Sequence, residues 1–425
     1  MAKFYWIPFF NLKKNRRYPM QYRKIPKTGD KLSVLGFGCM RLPEKGGKID
    51  EKRAKTQLFS AIDQGVNYID TAIPYHMGAS EPFLGKVLEG EYRKKIKLAT
   101  KLPPWYVHDP ADMDKLFNSQ LENLRTDYID YYLLHALEGD SFTKMEEMGA
   151  LDFLERLKSQ GRIRNAGFSF HGRKKDFKKI VDAYDWEFCQ IQYNYLDTQN
   201  QAGTKGLEYA AKKELGIIIM EPLRGGNLGK KSPKQVQALW DEADVKRAPF
   251  QWSLEWIWNH PQVTVILSGM NEEAHIEQNI QMAGNALPNR MSKKDLELVD
   301  GAQKVYRKLM KAGCTGCRYC MPCPAGVNIP GCFEFYNNFH VFDDKANARL
   351  FYLAQCGGLF SGKPALASLC EECGECEKAC PQNLPIMDLL KDVSQEFEGV
   401  KFRMLLKAAG ILFGFKRWNI LRKQK

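Results

Sequence analysis

The chain has 425 residues, of which 44% are hydrophobic, and this is enough to build one large and one small domain. Its formal net charge is +13, but residues 1–31 and 401–425 carry +8 each, which leaves −3 for the residues between them. Because the body of the chain is slightly acidic, this distribution excludes nucleic acid as the main partner. Neither end has the pattern of a secretory signal or a membrane span, so we expect a cytoplasmic protein.

Between residues 30 and 270, short apolar runs alternate with amphipathic stretches. Eight strand–helix units of this kind predict an α/β fold, a parallel (β/α)8 or TIM barrel. A doubly wound open sheet is the rival, but Gly36-x-Gly38 is followed by Arg41 where its phosphate-binding fingerprint needs a third glycine. The predicted strands are 35–38, 67–70, 96–101, 129–135, 163–170, 189–193, 217–220 and 263–267. The predicted helices are 51–64, 113–124, 145–160, 174–184, 205–215 and 271–282.

Polar side chains stand at the carboxyl ends of the predicted strands. In a parallel barrel these ends converge on one mouth, and the active site lies there. The side chains that we expect at this mouth are those of Asp70, Lys101, His135, Ser169, Gln192, Glu221 and Ser268.

Four short motifs carry a resemblance to a known family. They are Asp70-Thr71-Ala72-x2-Tyr75, Gly78-x-Ser80-Glu81-x2-Leu84-Gly85, Ala99-Thr100-Lys101 and Tyr128-x-Asp130-x4-His135. Over roughly residues 21–310, the chain resembles the aldo-keto reductases. The resemblance implies that the catalytic tetrad consists of Asp70, Tyr75, Lys101 and His135.

Carbonyl reduction explains why these residue types are needed. Hydride transfer leaves an alkoxide that must be protonated, and a free tyrosine, with a pKa of about 10, is a reluctant proton donor. The resemblance assigns Tyr75 as the general acid, and we expect the ammonium of Lys101, held by Asp70, to lower its pKa. His135 would orient the carbonyl. Each of these residues, taken alone, could have an ordinary structural role. The position of all four at the rim of the barrel favours catalysis.

The same resemblance implies a nicotinamide cofactor, NAD(P). It places the carboxamide contacts at the ends of strands five and six, with Tyr193 or Tyr195 as the ring that stacks on nicotinamide. The loop after strand seven is rich in glycine, which lets backbone amides approach a phosphate; a flexible turn is the alternative. The expected cofactor-binding residues are Ser169, Gln192, Leu223, Gly225, Gly226, Gly269, Gln278 and Asn279.

One stretch departs from the family pattern. Relatives that prefer NADP carry a lysine after strand eight and an arginine about six residues later, and these two cations hold the 2′-phosphate. Gly269 and His275 stand at those positions here, and Glu272-Glu273 add negative charge between them. The choice between NAD and NADP therefore stays open.

Ten of the twelve cysteines follow residue 313, and eight of them form two runs. The second run, Cys370-x2-Cys373-x2-Cys376-x3-Cys380-Pro381, has the bacterial ferredoxin spacing of a [4Fe–4S] cluster. The first run, Cys314-x2-Cys317-x2-Cys320-x2-Cys323-Pro324, is one residue shorter in its last spacer. Zinc is the alternative for a single pair of cysteines, but two such runs, each ending in proline, favour two [4Fe–4S] clusters.

Residues 311–395 are similar to the helical type of two-cluster ferredoxin. In such modules the fourth cysteine of each run binds the other cluster. The first cluster would then be held by Cys314, Cys317, Cys320 and Cys380. The second would be held by Cys370, Cys373, Cys376 and Cys323. Cys332 or Cys356 could replace a ligand of the first run, although buried free thiols are the simpler interpretation of both.

The two ends of the chain share basic and aromatic composition. Residues 1–20 and 396–425 combine lysine and arginine with aromatic and aliphatic side chains, which suits peripheral contact with the anionic inner face of a membrane. The alternatives are a start site at Met20, where the family resemblance begins, and a C-terminal helix packed on the body.

These features together predict an oxidoreductase. Carbonyl or alcohol chemistry in the barrel would be coupled to electron transfer through two clusters. The expected partners are a small carbonyl or alcohol substrate and an electron-transfer protein. The alternative is a binding or regulatory barrel whose clusters are structural or sense redox state.

Overall fold

The computed structural model describes residues 19–172, 174–316, 318–341, 345–358 and 363–406. Most of both terminal extensions, and Cys317, therefore lie outside the described residues. The strands are β1 (Tyr22–Lys24), β2 (Lys31–Ser33), β3 (Leu35–Gly38), β4 (Glu44–Lys45), β5 (Lys48–Ile49), β6 (Tyr68–Asp70), β7 (Lys97–Leu102), β8 (Ile129–Leu137), β9 (Ile163–Phe170), β10 (Phe188–Gln192), β11 (Gly216–Met220) and β12 (Val263–Ser268). The α-helices are α1 (Glu51–Asp63), α2 (Ser80–Leu88), α3 (Glu91–Lys95), α4 (Pro110–Leu124), α5 (Gly139–Glu147), α6 (Ala150–Ser159), α7 (Lys174–Asp182), α8 (Gly203–Lys212), α9 (Lys234–Asp241), α10 (Pro249–Trp258), α11 (Glu273–Ala283), α12 (Lys293–Leu309), α13 (Ile329–Val341), α14 (Lys345–Gln355), α15 (Glu375–Lys378) and α16 (Ile386–Phe397).

Eight of the strands, β3 and β6 to β12, close into a barrel. Each barrel strand pairs in parallel with the next one along the chain, and β12 pairs with β3 to complete the ring. All nine residues of β8 are buried, as expected for a parallel strand that is covered on both faces. The predicted TIM barrel is confirmed, and each predicted strand matches an observed one to within two residues.

A hairpin of β1 and β2 closes the amino-terminal end of the barrel. Ile25 and Leu32 from this hairpin are fully buried and pack with Tyr68 and Tyr131 inside the barrel. The contact is so close that a Cβ atom on Gly216 would lie 2.1 Å from Cδ1 of Ile25. The carboxyl-terminal mouth is therefore the end at which a ligand can enter.

The helices differ from the prediction in two respects. The single helix expected over 145–160 is two helices, α5 and α6, because Gly149 between them takes a left-handed φ of 77°. Five further helices, α2, α3, α9, α10 and α12, were not predicted. Of these, α10 buries Trp252, Leu254, Trp256 and Trp258 on several sides, so it lacks the one-sided apolar pattern by which a surface helix is found.

The region after the barrel has an apolar core of its own. Phe333, Tyr352 and Phe397 from α13, α14 and α16 pack together there, and the cysteines of both runs border this core. Within the described residues, none of the helices is long and apolar enough to cross a membrane.

Candidate functional site

The mouth of the barrel brings three of the four predicted tetrad residues into direct contact. Lys101, on β7, is fully buried, and its Nζ donates to both carboxylate oxygens of Asp70 at 2.7 and 2.8 Å. The same nitrogen donates to the carbonyl of Thr71 at 2.7 Å and lies 3.3 Å from the hydroxyl of Tyr75. The ammonium is thus fixed against the phenol by two anchors on the neighbouring strand end.

Burial dominates the electrostatics of this group. It raises the pKa of Asp70 and lowers the pKa of Lys101, while the mutual attraction of the two charges opposes both shifts. Burial, with the nearby carboxylate of Asp70, also holds the pKa of Tyr75 well above its usual value. Contrary to the expectation for the tetrad, the pKa of Tyr75 is raised rather than lowered, because the desolvation of the phenolate is the largest effect on it.

His135 lies beside Tyr75, with their ring centroids 6.2 Å apart. Burial, together with Lys101 and His171 nearby, holds the pKa of His135 well below its usual range, so the imidazole is neutral. Its Nδ1 is buried without a hydrogen-bond partner. Trp105, which is 41% exposed, covers the histidine ring at a centroid distance of 5.1 Å and forms one wall of the mouth.

A second layer of buried polar groups supports the lysine strand. Glu81 on α2 accepts hydrogen bonds from Thr100 at 2.5 Å and from Gln120 at 2.8 Å. Gln120 also donates to the carbonyl of Lys101 at 3.1 Å and accepts from Tyr132 at 2.8 Å. Burial raises the pKa of Glu81. Glu81 belongs to one of the four family motifs, but the sequence did not reveal this supporting role.

The predicted carboxamide-binding residues face the barrel interior. The hydroxyl of Ser169 accepts a hydrogen bond from the backbone nitrogen of Ala136 at 2.7 Å. Gln192 is fully buried and donates from Nε2 to Asp197 at 2.8 Å, while its Oε1 has no partner. A buried, unpartnered amide oxygen is the acceptor that the NH2 group of a nicotinamide carboxamide needs, so this position fits the cofactor.

The loop after β11 turns through two glycines in left-handed conformations. Gly225 and Gly226 have φ values of 72° and 99°, and the carbonyl of Leu223 accepts from the nitrogens of Gly226 and Leu228. A Cβ atom on Gly226 would meet nothing within 4 Å. Glycines with open space beside them let an anion approach the backbone closely, so the loop is compatible with a pyrophosphate group.

The remaining predicted cofactor positions lie near β12. Asn279 is buried and donates to the hydroxyl of Ser268 at 3.0 Å, whereas Gln278 is exposed. Gly269 packs against Arg41 from the loop after β3, since a Cβ atom on the glycine would lie 3.3 Å from Cβ of the arginine.

Two long-range contacts shape this side of the site. Arg53 on α1 binds the carboxylates of both Glu272 and Glu273, at 2.5 and 2.6 Å, so part of their negative charge is compensated. Tyr193 and Tyr195, the candidates for stacking on nicotinamide, are both buried and pack against Trp256 on the outer helix α10, at centroid distances of 5.2 and 6.4 Å. The sequence showed neither long-range contact.

Asp197 and Arg224 form a buried ion pair that joins the barrel to the cysteine-rich region. Nε of Arg224 donates to Asp197 at 3.0 Å, and its Nη2 donates to the carbonyl of Gly313 at 2.7 Å. Asn194 and Asn200 also donate to Asp197, at 3.0 and 2.9 Å. The residue that precedes the first cysteine is therefore attached to the loop at the barrel mouth.

We expect Arg224→Ala to lower the free energy of unfolding by about 3 kcal/mol, because it leaves the carboxylate of Asp197 buried without its cation. Lys230→Ala is the matched control, because it breaks an exposed ion pair with Glu334 across the same interface, and its cost should stay below about 1 kcal/mol. Anaerobic urea titration followed by tryptophan fluorescence measures both. Equal effects of the two substitutions would contradict a stabilising role for the buried pair.

The cysteines of the two runs come together in an interleaved way. Cys314 lies near Cys380. The pKa of Cys314 is raised mainly by burial, and the neighbouring Cys380 adds to this shift. Burial, and then the neighbouring Cys370, Cys323 and Cys373 among other groups, raises the pKa of Cys376 to about 11.

None of the described cysteines forms a disulfide bond. Within the described residues, no three metal-binding side chains converge on a single-ion site, whereas a [4Fe–4S] cubane spreads its thiolates over four irons. The interleaved thiols fit two clusters with exchanged fourth ligands. Cys332 and Cys356, the alternative ligands, are buried with their sulfurs 3.9 Å apart.

The first cysteine run also reaches the barrel mouth. The ring of Tyr319 lies 5.1 Å from the ring of His171, which follows β9. The carbonyl of Thr315 would lie 3.6 Å from a Cβ atom on Gly225. Glu221, directly after β11, lies close enough to Tyr75 and to Cys314 to raise the pKa of each.

Comparison with known proteins follows this division of the chain. Residues 34–303 match the Aldo/keto reductase family, and residues 313–385 match the 4Fe-4S dicluster domain. The methylglyoxal reductase YeaE of Escherichia coli is 28% identical over 300 residues, which cover 67% of this chain and 95% of the relative. The uncharacterized oxidoreductase YqkF of Bacillus subtilis is 26% identical over 320 residues, which cover 68% of this chain and 99% of the relative.

A solved structure agrees in fold. The holo form of aldo-keto reductase AKR11C1 from Bacillus halodurans has a TM-score of 0.56 and 24% identity, over 67% of this chain and 96% of that chain. Since the family match alone spans more than half of the sequence, this protein is an oxidoreductase of the aldo/keto reductase family that carries a C-terminal 4Fe–4S dicluster domain.

Proposed function

We propose that the barrel interconverts a small carbonyl compound and its alcohol with the tetrad Asp70, Tyr75, Lys101 and His135, and that two [4Fe–4S] clusters exchange electrons with this site. The observation that carries the catalytic part is the fully buried Lys101, held against the hydroxyl of Tyr75 by Asp70. The name of the Escherichia coli relative, a methylglyoxal reductase, supports a small carbonyl substrate.

In the reductive direction, Tyr75 gives its phenolic proton to the substrate oxygen. The Nζ of Lys101, at 3.3 Å, donates a hydrogen bond to the phenolate that forms, and Asp70 keeps the lysine oriented. Neutral His135 donates a hydrogen bond that orients the carbonyl. The unpartnered amide oxygen of Gln192 and the glycine loop are where this chain would hold a nicotinamide cofactor, which would supply the hydride.

The coupling to the clusters is supported by the position of the first cysteine run. Thr315 and Tyr319, which lie within that run, contact the barrel mouth next to Gly225 and His171. Nicotinamide carries a hydride, whereas a cluster carries one electron, so coupling needs a further group that does both. A flavin, a quinone or a conjugated substrate has that chemistry.

The second cysteine run reaches the surface of the protein. Cys373 is exposed, in contrast to Cys376 three residues later, which is buried. An exposed ligand brings its cluster within reach of an external protein, so this side suits the expected electron-transfer partner. Peripheral membrane contact through the two ends of the chain, and residence in the cytoplasm, remain proposals from the sequence.

The test uses the complete protein with both clusters, kept anaerobic. The clusters are reduced with dithionite, the excess is removed, and a panel of small carbonyl compounds is added with NADH, with NADPH or with neither. We expect at least one carbonyl, itself conjugated or assisted by an added flavin or quinone, to reoxidise the clusters, with two electrons and two protons consumed for each alcohol formed. The absorbance of the clusters and product analysis measure this.

Two outcomes would oppose the proposal. Clusters that stay reduced while NADH or NADPH reduces the carbonyl would separate the clusters from the chemistry. Failure of every donor to reduce any carbonyl, with no nucleotide binding, would favour the alternative of a binding or regulatory barrel.

A further inference from the structure

The loop after β12 lacks the cations that would bind a cofactor phosphate. Gly269 has no side chain, and His275 is exposed on α11. The nearby arginine on α1, Arg53, is occupied by Glu272 and Glu273. If a dinucleotide binds at this mouth, the positive charge for its phosphates must come from elsewhere in the fold.

Arg41 crosses the gap between the two loops that border this site. Its stem lies over Gly269, because a Cβ atom on that glycine would be 3.3 Å from Cβ and 3.6 Å from Cδ of the arginine. Its Nη1 donates to the carbonyl of Gly225 at 2.9 Å. The stem of Arg41 therefore occupies the space that a side chain at position 269 would use, and its guanidinium stands beside the glycine loop.

Of the two arginines beside this loop, Arg41 is the one that is placed to bind a phosphate. Arg224 is buried, and Asp197 and the carbonyl of Gly313 hold its guanidinium on the inner side of the loop. Arg41 is exposed, and the contact with Gly225 uses one of its five N–H donors. Glu221 lies near both arginines, so its carboxyl group offsets part of their positive charge.

We propose that Arg41 binds a phosphate group of the nicotinamide dinucleotide at the glycine loop and replaces the cation that position 269 lacks. This inference rests on the proposed function, since it needs a dinucleotide at the barrel mouth. The group that Arg41 would bind is a phosphate dianion or a phosphate diester. It is either the pyrophosphate common to both cofactors or the 2′-phosphate of NADP alone.

The experiment measures binding rather than turnover. Isothermal titration calorimetry of the complete protein with NADH and with NADPH gives the Kd of each. Arg41→Ala should raise the Kd about tenfold or more, as expected for the loss of a hydrogen bond to a charged group. An equal loss for both cofactors assigns the pyrophosphate, and a loss confined to NADPH assigns the 2′-phosphate.

Two further variants make the assignment specific. Gly269→Lys in the Arg41→Ala background should recover part of the affinity, because it returns a cation to the same space. Lys45→Ala removes an exposed charge from β4, four residues after Arg41, and should leave both Kd values unchanged. The absorbance of the clusters and the circular dichroism spectrum verify that each variant is folded.

The outcomes separate this inference from the proposed function. If the unaltered protein binds a dinucleotide and Arg41→Ala binds it equally tightly, the role of Arg41 is overturned while the proposed function stands. If the unaltered protein binds neither NADH nor NADPH, nicotinamide chemistry at this mouth and the role of Arg41 fail together.

Discussion

Replacement of Tyr75 by phenylalanine should lower kcat for carbonyl reduction by about 10²- to 10⁴-fold, the usual contribution of a positioned general acid. The substitution removes only the hydroxyl that lies 3.3 Å from Nζ of Lys101 and keeps the ring beside His135. Steady-state oxidation of NADH or NADPH by the active carbonyl under anaerobic conditions measures the change. Cofactor affinity and cluster content should stay unchanged, because the hydroxyl contacts neither region.

Tyr106→Phe is the matched control for this variant. Tyr106 is 44% exposed and its ring lies 6.0 Å from that of Trp105 at the same mouth. Both substitutions therefore remove a tyrosine hydroxyl, but only the hydroxyl of Tyr75 lies beside Lys101. We expect the control to retain the parental kcat. A Tyr75→Phe protein as active as the control would remove Tyr75 from the mechanism.

The pH dependence gives a second signature of Tyr75. Since burial raises the pKa of its phenol, the proton-donating form persists throughout the neutral range and is lost only as the pH rises. The reductive rate limited by proton donation should therefore hold through the neutral and mildly alkaline range and fall only above about pH 10, the ordinary pKa of tyrosine. A fall that begins near neutrality would point to another proton donor.

The sequence was most informative where the signal is local. Each barrel strand is a short apolar run, and the polar residue at its end is in the right place because parallel strands end at the same mouth. The contact of Asp70 with Lys101 could be predicted for that reason. The split of the helix at Gly149 could also have been predicted from the sequence, because a glycine beside a turn ends a helix more often than it continues one.

The sequence was silent where the partner is far away in the chain. Arg53 binds Glu272 and Glu273 from more than 200 residues away, and Arg224 binds Gly313 across the domain boundary. The sign of the pKa shift of Tyr75 also depends on burial, which the residue types alone do not reveal. Contacts of this kind depend on how the helices and loops pack.

Replacement of single cysteines should produce the second large effect, the loss of one cluster at a time. If the fourth ligands are exchanged, Cys323→Ala and Cys370→Ala should each remove the same cluster and roughly half of the bound iron, because both thiols lie near Cys376. Cys380→Ala should remove the other cluster, because Cys380 lies near Cys314. Iron analysis and electron paramagnetic resonance of the dithionite-reduced proteins measure which cluster remains.

Cys332→Ala is the control, because this thiol is buried beside Cys356 and is not expected to bind iron. Its iron content should equal that of the parent. The decisive comparison is between Cys323→Ala and Cys314→Ala. Different residual spectra mean that the two cysteines of the first run bind different clusters, whereas identical spectra would mean that each run binds its own cluster. If both clusters pass electrons between the surface and the barrel mouth, as we propose, a chain with one cluster should also lose donor-driven carbonyl reduction while it keeps reduction by NADH or NADPH.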